Sequence, residues 1–197
     1  MLLSLREFFI KERVGILKLT DVYDIFDPAE NKRIGVIKDE PSALFKYLRL
    51  IMAKPSLPTT INIYEDETQA PIFSIQKSFT FIRTKISIVD GKGAAIGYFM
   101  SKIFTIGGGF TVCDNAGNQI ADVSGDWISW NFTIKSMSSE ELGVVTKKWA
   151  GIGKELFTTA DNYMVSLNQE CDNQPALKIL LLAAALAIDT VYKENND

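Results

Sequence analysis

PALKILLLAAALAIDTVY, Pro175 to Tyr192, is apolar on every side between Ile179 and Ile188. A surface helix carries charge on one face and a narrower apolar stripe on the other, so this segment requires something that surrounds it. Two surroundings qualify, a bilayer or the inside of a protein shell. A membrane span needs about 20 predominantly apolar residues, and the uninterrupted run is about half of that. Burial in protein is therefore the expectation, and a membrane anchor, with Lys178 snorkelling and Tyr192 at an interface, is the alternative. Asn173 or Asp172 is placed to cap the helix, Pro175 suits its first turn, and Lys178 and Asp189 mark where polar surroundings return. Ala176, Ala183 and Ala187 make one side thin enough for a wall of backbone to approach.

Outward from that helix, most of the chain reads as strands. Glu7 to Lys11, Val14 to Leu19 and Val22 to Phe26 are short bursts rich in aromatic and β-branched residues. Asp27 to Asn31 supplies a turn, and Arg33 to Lys38 returns as the second arm of a hairpin. Between Pro41 and Lys54 the period changes. Leu44, Phe45, Leu48, Ile51 and Met52 fall on one helical face while Lys46, Arg49 and Lys54 project elsewhere, and Pro55 and Pro58 end the segment. This amphipathic helix suits either the plugging of a barrel end or rest on an anionic lipid surface.

From Thr60 a motif of strand, acidic turn and returning strand recurs about every 24 residues. Its turns are Glu65-Asp66, Asp90-Gly91, Asp114-Asn115-Ala116-Gly117 and Ser136 to Glu141. Counting arms gives on the order of twelve strands, too many to leave unclosed without exposed edges. A barrel of that size has a bore wide enough for a helix of roughly 10 Å diameter. The expected fold is mainly β: a closed, roughly twelve-stranded antiparallel barrel enclosing helix 175–192, with one further helix at 41–54. Residues 1–197 are expected to form a single domain of this kind.

The chain contains no histidine, which excludes Ser-His, Cys-His and His-metal chemistry. Gly151-Ile152-Gly153-Lys154 lacks the Ser or Thr and the earlier glycine of a phosphate loop, and Gly107-Gly108-Gly109 reads as a bulge or bend. The oxygen-rich stretches at Asp90 and Asp114 read as hairpin turns, and Asp122 and Asp126 as solvated carboxylates. Trp127, Trp130 and Trp149 read as wall packing, Cys113 and Cys171 as reduced thiols. No enzyme and no cofactor is expected. A net charge of −3 without a basic run gives no footprint for nucleic acid. Lysines 77, 85, 102, 135, 147, 148 and 154 alternate with apolar neighbours and are expected to point outward, where several converging on one side would meet lipid headgroups. Arg6, Glu7, Lys11 and Glu12 interrupt the apolar start, so the cytoplasm, or the membrane surface facing it, is the expected compartment.

Val144 to Trp149, Phe157 to Val165 with its Asp161-Asn162-Tyr163, and Leu180 to Ile188 with Asp189 and Tyr192 resemble the phospholipid scramblase and LURP-one-related group. The resemblance extends more loosely over nearly the whole chain, including Asp21 to Ile25. It implies the Tubby C-terminal-like fold, a twelve-stranded barrel around a hydrophobic helix, and an association with phospholipid or phosphoinositide. It also implies a calcium segment over Thr159 to Glu170, in which Asp161 and Asn162 match while Thr159 and Asn168 stand where acidic residues belong. The family's Cys-rich and Pro-rich N-terminal extension has no counterpart here. Headgroup candidates are Lys46, Arg49, Lys54, Lys147 and Lys148, and metal candidates are Asp161 and Asn162. Three functions follow: binding of anionic phospholipid headgroups, scaffolding of a protein partner, or scrambling with the last helix in the bilayer.

Overall fold

The computed structural model describes residues 2–13, 20–48, 57–78, 85–102, 109–126, 129–147 and 162–192. In chain order the elements are β1 (Glu7–Glu12), β2 (Val22–Asp27), β3 (Lys32–Asp39), α1 (Ala43–Leu48), β4 (Thr59–Tyr64), β5 (Phe73–Lys77) and β6 (Lys85–Asp90). They continue as β7 (Ala95–Ser101), β8 (Gly109–Asp114), β9 (Gln119–Asp126), β10 (Asn131–Ser136), β11 (Glu141–Thr146), β12 (Tyr163–Leu167) and α2 (Pro175–Tyr192). Each strand pairs antiparallel with its neighbours in sequence, and β1 closes the ring on β12 with Phe8 opposite Val165 and Ile10 opposite Tyr163. All twelve strands therefore have two partners, which removes the free edges that a meander of this length would otherwise expose.

Alternation decides what faces inward. Phe8 and Ile10, Ile61 and Ile63, Phe73 and Ile75, Ile86 and Ile88, Phe110 and Val112, and Phe132 and Ile134 point to the interior as i, i+2 pairs and join one apolar cluster with α2. Along α2 every residue from Lys178 to Ile188 is buried. Burying one Leu or Ile side chain is worth about 1.5–3 kcal/mol, so the helix and the wall stabilise each other. The helix meets the wall closely at Gly97 of β7, where the strand and not the helix supplies the small residue: a Cβ there would lie 2.9 Å from Leu180 Cδ2 and 2.3 Å from the Cys113 carbonyl oxygen. Cys113 and Cys171 are free and buried.

The hairpin turns hold themselves. Asp90 accepts hydrogen bonds from the Lys92 and Ala94 backbone N–H groups at 2.9 and 2.8 Å. Asp114 accepts from Asn118 N–H and Nδ2 at 2.8 and 2.9 Å. Their oxygens serve Asx turns, as the turn reading requires. Trp130 stands in the β9–β10 turn at φ 49°. It packs edge-on against Phe132 at 6.0 Å and against Tyr163 at 5.4 Å, so its wall-packing role holds. Trp127, Trp149, the strand expected at Val14 to Leu19, Gly107, Gly108 and the loop at Gly151 lie outside the described residues, as do positions 49–54 of the helix expected from Pro41.

Two expectations need correction. Lys77 does not point outward: it follows Phe73 and Ile75 on the same face of β5 and is buried at the barrel mouth. The start of α2 also differs from expectation. The Lys178 N–H donates to the Gln174 carbonyl, which puts Gln174 at the cap position, and the Asp172 carboxylate instead binds Arg6 and Lys178. Lys178 itself is only 2% exposed. Its ammonium is held by Asp172 Oδ1 at 3.0 Å, and Asp172 Oδ2 accepts from Arg6 at 2.6 Å, so the helix enters the barrel through an ion-paired collar rather than at open solvent.

Candidate functional site

The densest arrangement of charge among the described residues lies on the outer face of β1 to β3. Arg13 follows β1 directly and extends its ladder, its N–H donating to the Val22 carbonyl at 2.9 Å. Asp24 on β2 faces outward opposite Lys11 and Val36. It takes both arginines: Arg13 Nε and a terminal nitrogen at 2.9 and 2.6 Å, and Arg33 Nε at 2.8 Å. Arg13 is thus gripped in the two-pronged geometry that fixes a guanidinium plane. Lys38, on β3, passes its ammonium 5.6 Å from the centre of the Tyr64 ring.

These three cations converge on a carboxylate from a different part of the chain. Glu67, in the loop between β4 and β5, receives Lys38 Nζ at 2.8 Å on Oε2, while Oε1 is contacted by Arg33 and, at 3.5 Å, by Arg13. Lys38 and then Arg33 hold the Glu67 carboxyl down at about 2. The loop around it is locally braced. Asp66 accepts from Thr68 N–H and Oγ1 at 2.9 and 2.8 Å, and Glu65 accepts the Leu2 N–H. Beside it, Glu40 accepts from Tyr64 Oη at 2.7 Å and Asn62 Nδ2 at 2.6 Å. Burial, followed by that Glu40 contact, pushes the Tyr64 phenol up to about 12.

Those residues singled out from the sequence that are described lie elsewhere. Lys147 is half-buried with its ammonium 4.2 Å over the Trp130 ring. Asn162 is buried and accepts the Glu12 N–H at 3.2 Å, a structural bond that joins β12 to β1. Lys46 is on α1 with its side chain outside the described residues, and Arg49, Lys54, Lys148 and Asp161 are outside them altogether. The described strand ends that flank these positions, at Asp39, Thr59, Thr146 and Tyr163, all belong to one end of the barrel by strand register. The remaining outward lysines are dispersed: Lys85 lies 4.1 Å over the Tyr98 ring, Lys102 pairs with Asp122 at 3.0 Å, and Lys135 is exposed. No group of three or more acidic or thiol side chains positioned for a metal occurs among the described residues.

Arg13, Arg33, Lys38 and Glu67 were not singled out by sequence reasoning. The usable signal was that Asp24, Arg33 and Lys38 sit on adjacent arms of one hairpin. Nothing in the order of residues brings Glu67 to them, because that approach depends on a loop folding back over the outside of the sheet.

A barrel whose wall is a simple meander, closed by β1 on β12 and filled by the C-terminal helix, carries this surface. The family model described as Scramblase matches residues 22–195. The chain belongs to the scramblase family. Its architecture is the one the Tubby C-terminal-like resemblance implies. It is 24% identical over 153 residues to Phospholipid scramblase 2 of Bos taurus, a match covering 71% of this chain and 52% of that protein. It is 26% identical over 118 residues to Phospholipid scramblase 1 of Homo sapiens, covering 56% of this chain and 36% of that protein. The chain therefore aligns with about half of one relative and about a third of the other. No solved structure matches it. Among the described residues, no helix is long and apolar enough to cross a membrane.

Proposed function

We propose that this scramblase-family chain is a non-catalytic protein of the membrane surface that binds anionic phospholipid headgroups through cations on the outside of its barrel. Residues 1–197 act in this reading as one domain around the central helix 175–192. The observation that carries it is the convergence of Arg13, Arg33 and Lys38 on one outer face. Guanidinium groups suit phosphate because their forked donors match its oxygens. Membership in a family whose members bear phospholipid in their names supports the same ligand class. Lys147 would add charge to the outer surface, and Lys46, Arg49, Lys54 and Lys148 stay headgroup candidates on the sequence expectation alone. Asp161 and Asn162 stay with the calcium reading of the resemblance, although the bond from Glu12 already occupies the Asn162 side-chain oxygen.

Co-sedimentation of the purified chain with phosphatidylcholine vesicles, with and without phosphatidylserine, tests this. Binding that requires the anionic lipid and weakens as salt rises is the expected result. Equal sedimentation with both vesicle types at all salt concentrations would overturn it.

A second reading, a scaffold for a protein partner, draws on Tyr47, a large side chain on α1 that is 71% exposed. The third, a last helix inserted in the bilayer, has less support, since α2 presents no outward apolar face between Lys178 and Ile188.

A further inference from the structure

Glu67 occupies the place a ligand would take. Two guanidinium groups and an ammonium, delivered by the end of β1 and by β3, surround its carboxylate, and the residue that aims the arginines is a different acid, Asp24. The charges divide accordingly. Three cations face two carboxylates, one built into the wall and one carried on a loop. Asp24 is 16% exposed and lies between both arginines on the strand surface, while Glu67 is 34% exposed and reaches the cluster from above the sheet. Removing the loop carboxylate leaves an oriented cradle with two uncompensated positive charges, in which Asp24 still sets the arginine planes.

We propose that Arg13, Arg33 and Lys38 form a cradle for a phosphomonoester group, with Glu67 as an internal occupant that the phosphate displaces. This rests on the headgroup-binding reading for a lipid as the source of the phosphate, and deepens it by naming the subsite and its regulation. The carboxylate and the phosphomonoester compete for the same donors. The phosphate brings a third oxygen and up to a second negative charge, which three converging cations accommodate better than a single carboxylate does. The loop from Glu65 to Ile72 is then a latch: apparent affinity is the intrinsic affinity reduced by the fraction of molecules in which Glu67 has left.

Glu67→Gln keeps the shape of the latch and removes its charge, while Glu140→Gln, in the β10–β11 turn on the opposite side of the ring, removes the same charge elsewhere. Two probes separate the sources of phosphate: inorganic phosphate by calorimetric titration, and phosphatidylcholine vesicles containing either phosphatidic acid, a monoester, or phosphatidylglycerol, a diester. Glu67→Gln is expected to bind inorganic phosphate or phosphatidic acid vesicles on the order of tenfold more tightly than wild type. Glu140→Gln should match wild type, and Arg33→Gln in the Glu67→Gln background should abolish the gain. A gain with inorganic phosphate alone assigns the cradle to a soluble phosphate, one with phosphatidic acid vesicles alone to a headgroup, and a gain with both to the shared group.

No gain with either probe overturns the latch, as does an equal gain for phosphatidylglycerol or for Glu140→Gln. The wider reading fails separately, when wild type shows no anion-dependent vesicle binding. Should Glu67→Gln not fold, wild type gives the same answer by hydrogen exchange. Saturating inorganic phosphate should speed exchange of the Thr68 and Gln69 amides, which Asp66 now holds, and unchanged exchange would overturn the proposal.

Discussion

Asp24 and Glu67 share a charge and the same arginines, yet they differ in what their loss would do. Asp24 orients; Glu67 neutralises from outside. Because the Glu67 carboxyl is lowered from 4.5 to about 2 by Lys38 and Arg33, its folded form prefers the ionised state more than the unfolded chain does. Its contribution to stability is therefore fully present above pH 4.5 and is lost as the pH falls toward about 2. Wild type should melt above Glu67→Gln at neutral pH, and the two melting temperatures should merge over that interval in a pH series. A gap that persists to pH 2 would show that the pairing does not depend on ionisation.

Lys178 gives a second test at the same scale. Asp172→Asn strands a buried ammonium, whereas Lys178→Met replaces it by an apolar side chain of similar length and leaves Asp172 with Arg6. The urea midpoint should fall further for Asp172→Asn than for Lys178→Met. The reverse order would mean that the collar is not what keeps Lys178 buried.

At the level of elements, the reading of α2 from sequence succeeded because its cause is local. Ten consecutive residues without a polar side chain, Ile179 to Ile188, favour a protein interior over a bilayer once the span length is judged. Strand number was legible for a related reason, since acidic hairpin turns recur and each marks a pair of arms. Lys77 was misread because outward lysines are the usual case; parity from Phe73 and Ile75 gives the inward answer, and only the closed ring makes that face the interior. The Glu67 cluster was invisible because it is tertiary, joining residues 13, 24, 33, 38 and 67 through a loop whose path the sequence does not specify.

The helix-wall contact predicts asymmetric responses to size. Leu182→Ala empties part of a completely buried site and should cost about 2–5 kcal/mol in denaturant unfolding. Gly97→Ala adds a single carbon against Leu180 and the Cys113 carbonyl, and should cost about 1–3 kcal/mol through displacement of the wall. If Gly97→Ala is neutral, helix and strand are not in the close contact described.

For the whole molecule, enclosure of the helix and a charged exterior belong together. The C-terminal helix supplies the apolar core that the wide ring lacks, and under the proposed function its burial leaves the outer surface, with its cations from β3 and the end of β1, to meet a membrane. Attachment to a membrane and insertion into it are thus separate events. A diazirine-bearing phosphatidylcholine, activated in anionic vesicles with the protein bound and followed by peptide mapping, measures that separation directly. Adducts are predicted on outward-facing segments and absent from Lys178 to Ile188. Adducts concentrated in Lys178 to Ile188 would contradict the account, because they would mean that the helix leaves its barrel for the bilayer.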